Sequence, residues 1–315
     1  MTGLVYKSTG SNYWVKADSG EFFECRIKGK FRIQGIKSTN PIAVGDVVDF
    51  DIEISAGKEI GVIKHIHDRI NYLARRSVNL SKQLHILAAN IDQAFLLVTL
   101  NNPPTLTGFI DRFLATCEAY DIKVVILFNK SDTYQGDAVF ELKFLKQIYE
   151  KIGYACYEIS AKQGTHTELL RNLMTGKITL LAGHSGVGKS TLVNSLDAAL
   201  SLKTKNISEQ HQQGQHTTTF AEMYDLGFGA GIIDSPGIKG FGIFDMEKEE
   251  IGHFFPEFFA LKSQCRFHNC LHLEEPGCAV KEALEKEEVA WSRYQNYVQM
   301  LDGDSNYRED IYAVE

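Results

Sequence analysis

The chain has 315 residues, enough for two or three domains, and its 44% hydrophobic content is typical of globular proteins. It carries 33 Lys and Arg against 40 Asp and Glu, and this net charge of −7 argues against a protein that binds nucleic acid over its whole surface. No membrane span or secretory signal is apparent, so we expect a cytoplasmic protein without membrane contact, whose six cysteines form no disulfide framework.

Residues 1 to about 70 alternate short β-type runs with glycine turns, a spacing that predicts a small barrel. Within them Arg26, Lys28, Lys30 and Arg32 occupy alternate positions and would share one face of a continuous strand. Such a row of cations suits the phosphate backbone of RNA, and we favour RNA binding. An ordinary solvated strand face is the alternative.

A candidate base-reading loop follows the apolar run at 123–128. The Asp132 carboxylate can accept two hydrogen bonds from guanine, a pair of donors that adenine lacks. Asn129 would tie this loop to a phosphate loop, and the Lys130 stem would cover the base. The motif is Asn129, Lys130, Ser131 and Asp132, four residues that are also common in solvated turns.

A second base element follows the strand-like run at 154–159. Its backbone N–H groups would contact the guanine O6 atom. It consists of Ser160, Ala161 and Lys162.

A glycine-rich phosphate loop lies between an apolar run at 178–182 and a helical pattern at 191–196, the context that a P-loop requires. Lys189 would reach the β- and γ-phosphates, and the Ser190 hydroxyl would bind Mg²⁺. A glycine-rich turn with an incidental lysine is the alternative. The candidate nucleotide-binding residues are Gly183, His184, Ser185, Gly186, Val187, Gly188, Lys189, Ser190 and Thr191.

Two switch-like segments follow the P-loop. Thr217 or Thr218 would close over Mg²⁺, while Asp234 would hold the Mg²⁺ shell and the Gly237 amide would sense the γ-phosphate. Ile238 stands where many GTPases have a water-orienting glutamine, which predicts slow intrinsic hydrolysis. His216 is the nearest candidate catalytic residue, with a solvated histidine as the alternative. The polar segment 205–219 that precedes and contains it is expected to be ordered only by a partner.

Four potential metal ligands lie close together near the C-terminus. Cys265, Cys270, His272 and Cys278 supply three thiolates and one imidazole, the ligand set of a structural zinc site, although His268 could replace His272. Reduced cysteines without a metal are the alternative. The other cysteines, Cys25, Cys117 and Cys156, are expected in the core.

The acidic excess lies in residues 241–315, which carry seven Lys and Arg against sixteen Asp and Glu. A helical pattern at 281–301 places Trp291, Tyr294 and Val298 on one stripe, which we interpret as core packing.

The base-reading motifs precede the phosphate loop, whereas in ordinary GTPases the phosphate loop comes first, so the order indicates circular permutation. With the switch that contains His216, this order resembles the RsgA (YjeQ) family of small-subunit-dependent ribosomal GTPases. The resemblance implies an OB-fold at 1–71, a permuted α/β P-loop GTPase domain with a mostly parallel sheet at 72–242, and a mainly α zinc domain at 243–315. It also implies His272 as the zinc ligand and supports His216 in catalysis.

Our leading hypothesis is a monomeric GTPase, with one structural Zn²⁺ and with Mg²⁺ bound beside GTP, that binds the small ribosomal subunit and its rRNA. It would act in late maturation, hydrolysing GTP to GDP with turnover stimulated by the ribosome. Loss of the γ-phosphate would relax the adjoining C-terminal domain through the connector at 241–255. The alternatives are a GTP-gated RNA-binding scaffold with incidental hydrolysis and an ATP-using P-loop enzyme.

Overall fold

The computed structural model describes residues 1–27, 40–55, 57–76, 84–200, 221–234 and 247–302. The first five strands are β1 (Thr2–Ser8), β2 (Tyr13–Ala17), β3 (Phe22–Ile27), β4 (Val47–Ser55) and β5 (Lys58–Ile66). They pair in the order β1-β2-β3-β5-β4, and β4 pairs again with β1, which closes a barrel. All of these pairs are antiparallel except β3 with β5. The predicted N-terminal barrel is confirmed.

Alternate residues along these strands fill the barrel. Tyr13, Val15 and Phe50 are among the buried residues of its core, as the two-residue period of a strand requires. Gly61 lies opposite Cys25, where a Cβ atom would collide with the thiol sulfur. This close approach of β5 to β3 explains the glycine. Cys25, Cys117 and Cys156 are all buried, as predicted.

A hairpin of β6 (Tyr72–Arg76) and β7 (Leu84–Ala89) connects the barrel to a larger sheet. That sheet has the order β10-β9-β8-β11-β13-β12, and β12 is its antiparallel member. Its mostly parallel character confirms the predicted class of the central domain. The strands are β8 (Gln93–Val98), β9 (Lys123–Phe128), β10 (Ala155–Glu158), β11 (Ile178–Ala182), β12 (Glu222–Leu226) and β13 (Ala230–Asp234).

Helices cover both faces of the large sheet, because its central strands are apolar on both sides. Leu96 and Ile126 pack into the core formed with α1 and α2, whereas Leu97 and Leu127 pack into the core formed with α3 and α4. The helices are α1 (Thr107–Ala119), α2 (Asp137–Lys151), α3 (Thr167–Met174) and α4 (Lys189–Leu196).

Residues 247–302 form helices and turns around their own core, and no strand occurs among them. Buried aromatic residues such as Phe255, Phe258 and Tyr297 build this core. The predicted mainly α C-terminal region is confirmed. Its helices are α5 (Lys248–Ile251), α6 (Pro256–Leu261), α7 (Ala279–Glu285) and α8 (Trp291–Asp302).

The single helix predicted at 281–301 is wrong, because the chain turns between α7 and α8. Glu287 adopts a left-handed backbone conformation with φ of 59°, which a continuous helix excludes. The predicted core-packing stripe is confirmed for Tyr294 and Val298, which are half-buried and pack against the C-terminal core, but not for Trp291. Trp291 is 59% exposed, whereas Arg293 and Tyr297 are each 1% exposed, so α8 turns its charged Arg293 inward.

The inward face of α8 contacts the central domain through a buried ionic network. Arg293 donates to Asp111 of α1 at 2.8 Å and to Glu257 of α6 at 2.8 and 3.0 Å. Asn296 and Tyr149 also donate to Asp111, at 2.6 and 2.9 Å. The Asp111 and Arg293 side chains are 0% and 1% exposed, so the network joins two domains through fully desolvated charges.

The barrel continues the large sheet, because β1 pairs antiparallel with β12 at Lys7 and Glu222, and polar side chains add to this contact. Tyr6 donates to Asp225 at 2.6 Å, Lys16 pairs with the same carboxylate at 2.5 Å, and Lys7 pairs with Glu222 at 3.1 Å.

Within the described ranges, no helix combines the length and apolar character needed to cross a membrane.

Candidate nucleotide site and metal centre

The predicted nucleotide-binding loops meet at one edge of the large sheet. They follow β9, β10, β11 and β13, which run parallel, so their carboxyl ends lie together. Ligands of open α/β sheets bind at this edge. The strands before the two principal motifs are β9 and β11, and their bounds coincide with the apolar runs in the sequence.

Asn129 links three of these loops through its side-chain amide. The amide nitrogen donates to the Val187 carbonyl of the phosphate loop at 2.7 Å, and the amide oxygen accepts from the Ala161 N–H at 3.0 Å. Asn129 is 1% exposed, so these bonds are shielded from water. The predicted link between base loop and phosphate loop is therefore present. Gly188 adjoins it with φ of 102°, and a Cβ atom there would collide with the Asn129 amide.

Lys130 and Tyr134 hold the base loop from its two sides. The Lys130 ammonium donates to the carbonyls of Asn102 and Gly186, so its stem spans the groove beside the phosphate loop. The Tyr134 hydroxyl donates to the Asn129 carbonyl and accepts from the Leu100 N–H. Burial raises the pKa of Tyr134, which keeps this donor protonated. Sequence reasoning missed Tyr134, although it stands two residues after the motif.

The remaining residues of the two base loops differ in exposure. Ser131 is half-buried, and its N–H donates to the Ile159 carbonyl at 3.1 Å, whereas the Asp132 side chain is exposed at the rim. Ser160 is 1% exposed and accepts from Thr165 at 3.1 Å in a closed turn. Lys162 is exposed. Because the Ala161 N–H is bonded to Asn129, this turn is fixed next to the base loop.

The phosphate loop has the backbone that the motif predicts. Gly183, Gly186 and Gly188 all have positive φ values, and α4 begins immediately afterwards at Lys189, so the positive end of its dipole faces the loop. Val187 is buried, and Ser185, Ser190 and Thr191 are exposed. The loop therefore presents hydroxyls and a helix N-terminus to solvent.

Lys189 folds back over the phosphate loop. Its ammonium donates to the carbonyls of Gly183 at 2.6 Å and His184 at 2.8 Å. Burial lowers the pKa of Lys189, and the nearby Asp234 carboxylate opposes that shift. The ammonium is thus held by neutral carbonyls at the place where an anionic ligand would be a stronger partner.

His184 contacts α1 outside the motif. Its ring lies 3.9 Å from the ring of Phe109, centroid to centroid, at an interplanar angle of 35°. Phe109 is two residues before Asp111, the carboxylate that binds Arg293. One helix therefore contacts both the phosphate loop and the C-terminal domain, a connection that the sequence did not reveal.

The switch residues are described only in part. Asp234 is the last residue of β13 and pairs with Leu181 of the P-loop strand, which brings it to the phosphate side of the sheet. Among the RNA-binding candidates Arg26 is exposed on β3. Segment 205–219 and residues 241–246 of the connector lie outside the described residues. The same is true of the remaining switch and RNA-binding candidates, which are His216, Thr217, Thr218, Gly237, Lys28, Lys30 and Arg32.

The predicted metal ligands converge in the C-terminal region. The sulfur atoms of Cys265, Cys270 and Cys278 and the His272 ring nitrogen all lie within 4.8 Å of one another. Nδ1 of His272 is 3.4 Å from the Cys278 sulfur and 3.7 Å from the Cys265 sulfur. Ligands at the ~2.0–2.3 Å bonds of tetrahedral zinc are about 3.3–3.8 Å apart, so the cluster fits such an ion. His268 is exposed outside it.

Burial gives these ligands the chemistry of a metal site. It lowers the pKa of His272, which favours the neutral imidazole that binds metals. It raises the pKa of the Cys270 thiol to about 12, so a buried thiolate requires a nearby cation. Together, the three cysteine sulfurs and the imidazole can hold a metal ion such as zinc.

Glu275 holds the loop that carries His272. Its two carboxylate oxygens accept from the N–H groups of Leu271 and Leu273, each at 2.8 Å, on either side of the histidine. Tyr294 donates to the His272 carbonyl at 2.7 Å. These bonds orient the imidazole in the manner of the outer shell of a metal site.

We expect Glu275→Gln to lower zinc affinity about 10–100-fold, because one backbone N–H flanking His272 would face an amide NH₂ instead of a carboxylate oxygen. Competition of the purified protein with a zinc chelator measures the change. Glu274→Gln is the control, since Glu274 is its exposed neighbour. Equal affinities of the two variants would remove Glu275 from the support of the metal site.

Comparisons with known proteins agree with this architecture. The RsgA N-terminal domain model matches residues 2–63, and the RsgA GTPase model matches residues 66–244. A protein of Christiangramia forsetii described as small ribosomal subunit biogenesis GTPase RsgA is 62% identical over 313 residues, 99% of both chains.

Two solved structures are similar over nearly the whole chain. YjeQ from Thermotoga maritima has a TM-score of 0.74 and 36% identity, and covers 95% of this chain and 96% of its own. YloQ, described as a circularly permuted GTPase, has a TM-score of 0.70 and 29% identity over 100% of this chain and 96% of its own. With its closed barrel, permuted GTPase sheet and Cys₃His cluster, the chain belongs to the RsgA family of GTPases.

Proposed function

We propose that this GTPase acts in late maturation of the small ribosomal subunit and that binding of the subunit stimulates its hydrolysis of GTP. The observation that carries the nucleotide-binding part of the proposal is the Asn129 amide, which joins the base loop, the second base element and the phosphate loop into one unit. The relatives described as small ribosomal subunit biogenesis GTPases support the partner.

The phosphates of GTP would lie against the backbone amides of residues 183–188 and the N-terminus of α4. Lys189 would turn from its two carbonyl partners to the β- and γ-phosphates. Bound Mg²⁺ supplies positive charge against the phosphate oxygens. Ser190 and Asp234 would hold it together with a switch threonine, Thr217 or Thr218, and the Gly237 amide would sense the γ-phosphate.

The guanine base would lie beside the stem of Lys130, with Asp132 accepting from its ring N–H and exocyclic amine. We expect Asp132→Asn to lower the preference for GTP over xanthosine triphosphate by at least about 10²-fold, because a carboxylate that pairs with two donors is lost. Competition binding with the two nucleotides measures this. The exposed Asp137 provides the control Asp137→Asn. Retained selectivity for GTP would mean that the motif at 129–132 does not read the base.

His216 would position the attacking water, because the residue after Gly237 is the apolar Ile238. Turnover would be slow until the subunit binds, because the subunit would bring this histidine into place.

The domain boundaries would lie at 1–71, 72–242 and 243–315. The first and third of these domains would provide the contacts with rRNA. On the barrel the contacts would come from Arg26, Lys28, Lys30 and Arg32. Zinc in the Cys₃His cluster would be structural, because four protein ligands leave no open position. We propose that the protein acts as a monomer in the cytoplasm, and that loss of the γ-phosphate relaxes the C-terminal domain for release.

The test is a GTPase assay with purified small subunits, large subunits or neither. We expect small subunits to raise the turnover number and large subunits to leave it unchanged. Equal turnover in all three conditions would contradict the proposal. Because intrinsic turnover is measured in the same assay, this result would leave the GTPase activity itself in place.

A further inference from the structure

A second group of potential metal ligands lies on the outer surface of the barrel. Asp49 of β4 contacts two histidines, His65 of β5 and His67 just beyond it. Asp49 Oδ2 is 3.1 Å from His67 Nε2 and 3.8 Å from His65 Nδ1. One ligand atom from each of the three residues lies within 4.8 Å of the others. In the described part of the chain, two groups of side chains have the spacing of metal ligands: this triad and the Cys₃His cluster.

An irregularity in the β4–β5 pairing builds the triad. Asp49 pairs with His65, but Phe50 pairs with Ile63, so Lys64 is an extra residue on β5. Such a bulge re-aims neighbouring side chains. The His67 N–H donates to the Val47 carbonyl at 2.9 Å, which keeps the chain extended past the end of β5. His65 and His67 are two residues apart, so they share the outer face with Asp49.

The Asp49 carboxylate is oriented by a neighbour. Thr2 donates to Oδ1 of Asp49 at 2.8 Å, and Oδ2 is left facing both imidazoles. Bonds of this kind orient carboxylate ligands in metal sites. The nearby Lys64 ammonium pairs with Asp51 at 3.6 Å. The triad therefore offers a fixed carboxylate oxygen and two ring nitrogens.

We propose that Asp49, His65 and His67 form a site for a divalent late first-row transition metal ion such as Zn²⁺. Two imidazoles and one carboxylate suit these ions, whereas Mg²⁺ and Ca²⁺ prefer oxygen ligands. Ligands at about 2.1 Å from an ion lie about 3.0–3.5 Å apart, close to the separations of 3.1 and 3.8 Å already present. The two histidine side chains are 65% and 44% exposed, so an ion can reach them and solvent can complete its coordination.

The competing explanation is a simple ion pair between the carboxylate and protonated histidines. The metal site and the ion pair predict different results when one imidazole is removed. A tridentate site loses affinity when any ligand is removed, whereas an ion pair binds no metal at all.

Titration of the full-length, zinc-loaded protein with Co²⁺ tests the proposal. We expect one added Co²⁺ per chain with visible d–d absorption and without thiolate-to-cobalt charge transfer, because no cysteine takes part. His65→Gln, His67→Gln and Asp49→Asn should each weaken this binding at least about tenfold. His166→Gln is the matched control, an exposed histidine outside both groups of potential metal ligands.

Three results would overturn the site. These are the absence of added cobalt, binding that all three substitutions leave unchanged, and a signal that consists only of thiolate charge transfer from the Cys₃His cluster. Because the three ligands are exposed or half-exposed, the variants should keep their fold, and circular dichroism verifies that they do.

Discussion

Replacement of Arg293 by methionine is expected to lower the free energy of unfolding by about 3–5 kcal/mol, because it leaves the buried carboxylate of Asp111 without its cation. Arg293 is 1% exposed and forms three hydrogen bonds to Asp111 and Glu257. These carboxylates, chiefly Asp111, raise the pKa of the guanidinium even though burial opposes the shift, so it stays charged. Chemical denaturation followed by fluorescence measures the loss.

Two further variants separate the cost of an unpaired charge from general damage. Lys146→Met removes a partly exposed ion pair with Glu158 and should cost less than about 1 kcal/mol. Asp111→Asn added to Arg293→Met should recover part of the loss, since the isolated buried charge disappears. If the double variant is as unstable as the sum of its single changes, charge pairing is not the source of the stability.

Lys189→Ala is expected to lower kcat for GTP by about 10²–10³, because it removes a cation from the developing charge on the transferred phosphate. Lys143→Ala on the exposed face of α2 is the control and should keep full turnover. Binding of a fluorescent GTP analogue, measured in parallel, distinguishes loss of chemistry from loss of affinity. Unchanged turnover would exclude Lys189 from catalysis.

The same variant separates an enzyme from a scaffold. A GTP-gated scaffold that needs no hydrolysis would bind and leave the small subunit normally when Lys189 is alanine. A GTPase that requires γ-phosphate loss for release would remain bound. Co-sedimentation of the variant with small subunits, followed over time after GTP addition, measures the difference.

Local patterns predicted the strands that carry the candidate nucleotide loops, because the apolar residues of each strand specify it. The apolar runs at 123–128 and 178–182 coincide with β9 and β11. The loops that follow these strands are recognisable in the sequence by their glycine and polar residues alone. The metal cluster was predictable for a similar reason, since its four ligands lie within fourteen residues.

Long-range contacts were not predictable in this way. Asp111 and Arg293 are 182 residues apart, and neither stands out in sequence as a buried charge. The stripe predicted on α8 placed Tyr294 and Val298 correctly against the core but missed Arg293. Apolar periodicity assigns arginine to the solvent side, whereas the Asp111 carboxylate on α1 draws Arg293 inward. The triad of Asp49, His65 and His67 likewise depends on a bulge that no single strand pattern reveals.

The separation between Asp111 and its partners also bears on how the chain folds during its synthesis. The barrel strands lie within the first 66 residues and can pair early. Asp111 must wait for Arg293 and Asn296, which emerge 182 and 185 residues later. At translation rates of ~5–20 residues per second this delay is about 10–40 s. During that time Asp111 has only Tyr149 of α2 among these partners, so the GTPase domain can reach its final stability only when the chain is almost complete.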